Sequence, residues 1–162
     1  MNLIVAVDKL WAIGKDNDLL VHIPEDMSFF REKTLNQVVI MGRKTLESFP
    51  GQKPLKNRIN IVITKDKTYK KDDVIIVNSI EEAIKEANKH SKEVFIIGGG
   101  AIYRQMLDYC DTAYITKINV ISTDADTFFP NIDAKQNWEV VEESNEKEHE
   151  NIKYKFVKYK KK

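Results

Sequence analysis

The sequence has a single cysteine, Cys110, and only three histidines in 162 residues, and both shortages narrow its chemistry. One thiol forms no internal disulfide and suits a reducing compartment. Within Met106-Leu107-Asp108-Tyr109-Cys110 it reads as a packing residue at a helix end rather than as a nucleophile. His22, His90 and His149 stand far apart, without His-x-x-x-His or Cys-x-x-Cys spacing, so no zinc site is expected. The pairs Asp16/Asp18 and Asp124/Asp126 lack the glycine and bidentate acid of a calcium loop, and no metal of any kind is expected. No Gly-x-Ser-x-Gly elbow announces a serine hydrolase.

Charge of one sign is missing too. Lys plus Arg number 26 against 25 for Asp plus Glu, which leaves no basic field for nucleic acid. The one local excess, Lys158, Lys160, Lys161 and Lys162, reads as a solvated, frayed end. No apolar run is long enough to cross a bilayer, and Met1 to Asp8 lacks the basic flank and cleavage site of a signal peptide. A cytosolic protein with no membrane or nucleic-acid partner is expected. Repeats, low-complexity linkers and composition breaks are absent, so residues 1–162 are expected to form one domain, for which an apolar share of 42% supplies an ample core.

Short β-branched runs recur at Leu3 to Val7, Val38 to Met41, Ile59 to Ile63, Val74 to Val77, Val94 to Ile97 and Ala113 to Ile118. Most are apolar throughout, which predicts strands covered on both faces by helices in a mostly parallel sheet of an α/β protein. Three helices are predicted between them. The first opens at Pro24 and carries Met27, Phe30 and Thr34 on one side. The second opens on the capping box Ser79/Glu82 and buries Ile80, Ala83, Ile84 and Ala87. The third follows Gly98-Gly99-Gly100 and places Ile102, Met106 and Tyr109 on one face. Trp138 to Val141 and Lys153 to Tyr159 predict an antiparallel hairpin at the sheet edge, with Glu142 to Asn151 as its loop and Lys153, Lys155 and Lys158 blunting the edge.

Two strand-to-helix junctions suit phosphate, because a helix start presents free amides and a positive dipole end. Met41-Gly42-Arg43-Lys44-Thr45 adds two cations and a hydroxyl, but without the upstream glycine of a P-loop. Ile97-Gly98-Gly99-Gly100-Ala101 leaves backbone open to a pyrophosphate, although a tight turn alone would also explain it. Together they fit one dinucleotide, the extra cations suiting a 2′-phosphate. Glu25 and Asp26 occupy a first helical turn, where acids often only complement the dipole. Phe30, one turn on from Asp26, offers an apolar wall for an aromatic ligand, and Glu25 should point elsewhere. Arg58 is either a carboxylate clamp at the rim or half of a surface pair. By spacing alone, Tyr103 reads more readily as core than as a cofactor contact.

The order Ile13-Gly14, Ile23-Pro24-Glu25-Asp26, Val39 to Thr45, Ile97 to Gly100, Tyr114-Ile115-Thr116 and Asp126 to Pro130 resembles the dihydrofolate reductase family. The resemblance runs from Leu3 to at least Pro130. It implies NADPH-dependent reduction of dihydrofolate to tetrahydrofolate in one-carbon and thymidylate metabolism, by a monomer. Asp26 and Thr116 become the catalytic pair, with Ile4, Val5, Phe30, Phe49 and Ile97 around the folate ring and Arg58 on the glutamate α-carboxylate. The same resemblance assigns Ala6, Ile13, Gly14, Leu19, Gly42, Arg43, Lys44, Thr45, Thr64 and Lys65 to NADPH, with Arg43, Lys44 and Lys65 selecting the 2′-phosphate over NADH. Ile97, Gly98, Gly99, Gly100, Ala101, Ile102 and Tyr103 complete the cofactor set. Gly14 to Val21 correspond to a loop that closes over the nicotinamide.

The chain departs from the family pattern in three places: Leu20-Val21 for the usual Pro-Trp, Ala101 for a frequent cation and Ala125 for a frequent glycine. The first bears on the proton route, the second on the adenosine phosphate and the third on loop motion. Two other readings are a pyrimidine reductase of riboflavin synthesis and a catalytically silent nucleotide-binding module. Arg58 and the Asp26/Thr116 pairing favour folate over the first; in the second the glycine junctions would work and Asp26 would be only a helix-start acid.

Overall fold

In the computed structural model the chain runs β1 (Asn2–Val7), β2 (Ala12–Lys15), β3 (Asp18–Leu19), α1 (Pro24–Thr34), β4 (Val38–Gly42), α2 (Arg43–Glu47), β5 (Ile59–Ile63) and β6 (Ile75–Val77). It continues as α3 (Ile80–Ala87), β7 (Val94–Gly98), α4 (Gly100–Met106), β8 (Thr112–Ile118), β9 (Thr127–Phe128), β10 (Trp138–Glu143), β11 (Lys147–His149) and β12 (Ile152–Lys161). The structure describes residues 1–15, the backbone of 18–19, and residues 21–162. The main sheet has the order β10-β12-β8-β1-β7-β4-β5-β6, with β11 added to β12. Strands β8 to β6 along this path are parallel, while β12 and β10 are antiparallel additions at one side. This is the α/β architecture the apolar runs predict.

Period-two alternation splits the strands between two cores. Leu3, Val38, Ile40, Ile61, Ile96 and Ile115 face a cluster completed by Ala83 and Ala87 of α3 and by Ile102, Tyr103 and Met106 of α4. Ile4, Val39, Met41, Val62 and Phe95 face the other way, toward Phe29, Phe30, Leu46 and Phe49. Helix α3 starts as its sequence demands: the Glu82 N–H donates to Ser79 Oγ at 3.1 Å. The Glu82 carboxylate accepts from the Asn78 N–H at 2.7 Å, one residue earlier than an ideal capping box.

Several local expectations change. Met27 is 49% exposed, so α1 turns Phe29 and Phe30 inward instead and leaves Met27 to solvent. Helix α4 ends at Met106, and the following 3₁₀ turn throws Tyr109 outward to 50% exposure. Residues 142–151 are not simply a loop, since Glu142 and Glu143 extend β10 and Lys147–His149 pairs with β12. The lysines of β12 do not guard an edge, because β12 lies between β8 and β10; they pair across strands instead. Lys158 meets Glu142 at 3.7 Å, and Lys155 is bonded to Glu143. A second, small sheet of β3-β2-β9 was not foreseen, and it places Ile13-Gly14 beside β9, with Gly14 opposite Thr127.

Candidate active site

Chain reversal in the sheet brings the chemistry to one edge. Strand β7 inserts between β1 and β4, and α4 then carries the chain across β1 to β8. The carboxyl ends of β1, β4, β7 and β8 therefore converge, the usual ligand crevice of an open parallel sheet.

Asp26 enters this edge from the first turn of α1, where Pro24 starts the helix without a side-chain cap. It meets Thr116, the Cα partner of Ala6 in the β1–β8 ladder. Thr116 Oγ1 donates to Asp26 Oδ1 at 2.6 Å across 90 residues of sequence. Burial raises the Asp26 pKa above the ordinary 3.8, and the Thr116 hydroxyl opposes part of that rise. Glu25 points away, to Lys147 at 3.2 Å.

Around this pair, Ile4, Phe30, Phe49 and Ile97 share one apolar cluster with Leu55 and Tyr114. Val5 packs on the opposite face of the sheet, against the α3 and α4 side. Tyr103 is buried and donates its hydroxyl to the Ile4 carbonyl at 2.7 Å, tying α4 to β1 behind the site. Burial and the Asp26 charge both push its phenol pKa upward.

Arg58 is half-buried and, among the described residues, has no acidic partner. Its Nε donates to Thr34 Oγ1 at 3.2 Å and its Nη1 to the Lys56 carbonyl at 2.9 Å. Desolvation and the nearby Arg31 charge lower its pKa. Asn60 clips the loop that presents it: Nδ2 donates to the carbonyls of Leu55 and Arg58, while Oδ1 accepts from the Leu55 N–H. Asn60 escaped the sequence reading, although one amide inside the apolar strand Ile59–Ile63 is the signal that could have found it.

The two glycine junctions lie side by side, Met41 opposite Gly98. Gly98 has φ +134°, a conformation that favours glycine, and precedes a cis Gly98–Gly99 peptide. A Cβ on Gly98 or Gly99 would meet Thr45 Oγ1 at 3.3 or 3.4 Å, and one on Gly100 would meet Thr127 at 2.6 Å. A Cβ on Gly42 would meet the buried Ile102 side chain at 3.2 Å. Arg43 stacks on Tyr69 at 4.8 Å and pairs with Glu47 at 3.3 Å and Asp66 at 3.5 Å. Lys44, Lys65 and Ala101 are exposed, and the Thr64 carbonyl accepts from Asn78. Side-chain-free backbone, a hydroxyl and several cations form a donor set that fits a dinucleotide's phosphates.

Ala6, Ile13 and Val21 line a cleft at the end of β1, and Gly14 pairs with the backbone of Leu19. The Leu19 side chain and Leu20 lie outside the described residues, as do positions 16 and 17, so the loop closure expected for Gly14 to Val21 remains an expectation. Val21 packs with Ala6 beside Ile23, Ile118 and Tyr154. Cys110 is buried with its thiol pushed up to about 12, which fits a packing role. Among the described residues there is no cluster of metal-ligating side chains, and no helix is long and apolar enough to cross a membrane.

Comparison with known proteins bears on the whole chain. The dihydrofolate reductase family model matches residues 1–161. Dihydrofolate reductase from Bacillus subtilis is 36% identical over 164 residues, covering 100% of this chain and 95% of the relative. The enzyme from Buchnera aphidicola subsp. Baizongia pistaciae is 38% identical, covering 96% and 92%. Among solved structures, Enterococcus faecalis dihydrofolate reductase complexed with NADP(H) and RAB-propyl superimposes with a TM-score of 0.88 at 34% identity, covering 99% of this chain and 95% of that one. With a family model spanning nearly every residue and relatives of matching length, the chain belongs to the dihydrofolate reductase family.

Proposed function

We propose that this chain reduces 7,8-dihydrofolate to 5,6,7,8-tetrahydrofolate with NADPH. The observation that carries this reading is the Asp26–Thr116 hydrogen bond, a carboxylate of raised pKa at the carboxyl edge of the sheet and beside the glycine junctions. A carboxyl group desolvated in this way holds a proton more readily than one in water, which suits proton delivery to a ring nitrogen. Asp26 would take the N–H groups of the pterin's amidine edge as hydrogen-bond donors and promote protonation at N5, while Thr116 fixes its orientation. Ile4, Phe30, Phe49 and Ile97 would enclose the ring, with Val5 contributing through its backbone. Arg58, held by Thr34 and the Lys56 carbonyl, would bind the glutamate α-carboxylate.

NADPH, when bound, supplies the hydride that is delivered to C6. Toward it, Ala6, Ile13, Gly14 and Leu19 would wall the nicotinamide end. Gly42, Thr45 and Gly98 to Ala101 would accommodate the pyrophosphate, with Ile102 and Tyr103 supporting them. Arg43, Lys44, Thr64 and Lys65 would face the 2′-phosphate side. We further infer a monomeric, cytosolic protein of one domain serving one-carbon metabolism; the main sheet, with strands drawn from Asn2 to Lys161, supports the one-domain reading.

Purified protein mixed with NADPH and dihydrofolate should show decay of nicotinamide absorbance. Tight NADPH binding without decay would leave only a nucleotide-binding module, and turnover of a phosphorylated pyrimidine in place of dihydrofolate would point to the riboflavin pathway.

A further inference from the structure

Asp8, directly after β1, is the only acid among the buried polar residues described, with 5% exposure. Among the described residues no cation pairs with it. Its carboxylate instead accepts three backbone N–H groups: Oδ1 takes Leu10 at 2.8 Å and Ala12 at 2.9 Å, and Oδ2 takes Ser122 at 2.9 Å. The first lies in the turn before β2, the second is the first residue of β2, and the third lies 114 residues away, in the segment between β8 and β9. Neighbouring backbone bonds reinforce the junction, with the Asp8 N–H donating to the Ala12 carbonyl and the Lys9 N–H to the Val120 carbonyl. Farther along, the Asp126 N–H donates to the Gly14 carbonyl at 3.0 Å, and Lys15 pairs with Asp124 at 2.6 Å. Ile13 and Gly14 are thus held between two ties, one before them and one after. Asp8 also lines the same cleft as Ala6, Ile13 and Val21.

We propose that Asp8 is a positioning residue for the cofactor: its two oxygens lock the turn before Ile13-Gly14 and the segment carrying Ser122 onto the end of β1, so that the nicotinamide wall is formed before NADPH arrives. This rests on the reading that Ala6, Ile13 and Gly14 meet NADPH. The chemistry is specific to a carboxylate. An asparagine of the same shape can turn its oxygen to Leu10 and Ala12, but its amide N–H₂ then opposes the Ser122 N–H, donor against donor. Asp8→Asn therefore cuts one tie and keeps the other.

The test uses the full chain in two measurements. Without ligand, amide hydrogen exchange should show Ser122 protected in the wild type and exchanging quickly in Asp8→Asn, with Ala12 still protected. In titrations, Kd for NADPH should rise about tenfold, as expected for losing a hydrogen bond to a charged acceptor, while Kd for dihydrofolate changes less than about twofold. Ser122→Pro removes the same donor from the other side; it should weaken NADPH in the same way and add little in the double variant. It stands in for Asp8→Asn should that variant fail to fold. Unchanged NADPH affinity with an exposed Ser122 amide overturns the proposal, and so does equal weakening of both ligands. A wild type that neither binds NADPH nor reduces dihydrofolate would instead refute the functional reading beneath it.

Discussion

Asp8 and Asp26 flank the same end of β1, and they differ in what their oxygens receive. Asp8 accepts three fixed backbone donors, whereas Asp26 accepts one side-chain hydroxyl and is otherwise desolvated. Backbone donors arrive with the fold and cannot leave, so a carboxylate saturated by them serves as a joint. One rotatable hydroxyl and an apolar surround leave the other carboxylate with capacity for a ligand and a raised affinity for a proton. On the proposed reading, two aspartates at one sheet edge would divide positioning from proton chemistry.

The largest effect expected is on turnover. Asp26→Asn should lower kcat/KM for dihydrofolate by about 10²- to 10⁴-fold near neutral pH and by less at acidic pH, where the substrate arrives protonated. An equal loss at every pH in the rate profile would remove the contrast with Asp8. Next comes Asp8→Ala, which strands the N–H groups of Leu10, Ala12 and Ser122 and should cost about 2–4 kcal/mol in denaturant unfolding. A cost below about 0.5 kcal/mol would mean water replaces the carboxylate easily.

Arg58→Leu supplies a control that touches neither aspartate. It should raise KM for dihydrofolate about tenfold with little change in kcat, because its contact would exist throughout the reaction. An unchanged KM would reject the carboxylate-clamp role. Thr116→Val should reduce kcat/KM roughly three- to tenfold. Because the hydroxyl lowers the Asp26 pKa, its loss should also move the Asp26 limb of the pH profile upward, and a downward shift would contradict the bond's role.

The smallest effect concerns stability. Asp26 has a folded pKa above 3.8, so the folded state binds its proton more tightly than the unfolded state does. Wild-type stability accordingly falls as pH rises from 3.8 through the raised value, and the penalty persists above it. Asp26→Asn carries no such charge and should melt roughly a few degrees higher at neutral pH, with the gain vanishing in strong acid. A variant that melts lower at neutral pH would show that ionised Asp26 stabilises the fold.

Much of this was legible in the residues. Ile59–Ile63 and Val94–Gly98 read as buried strands because their apolar character is local, and the Ser79/Glu82 start of α3 needed only four residues. Met27 and Tyr109 were misjudged because periodicity tells which residues share a helix face but not where a neighbouring element stops covering it. Residues 142–151 read as a loop because their polarity hides strand pairing that cross-strand Lys–Glu contacts sustain. Asp26 was visible as a first-turn acid with Phe30 beside it until the family's ordered motifs set Thr116 opposite it, and the roles of Asn60 and Asp8 depend on partners their local sequence does not show.

Acting alone, the sequence determined the succession of strands and helices, the two glycine junctions and the absence of disulfide chemistry, all of which rest on neighbours within a few residues. Tertiary structure decided which carboxylate received three backbone donors and which was left desolvated beside one hydroxyl. That difference depends on desolvation and on donors 90 and 114 residues away, and only packing brings those together.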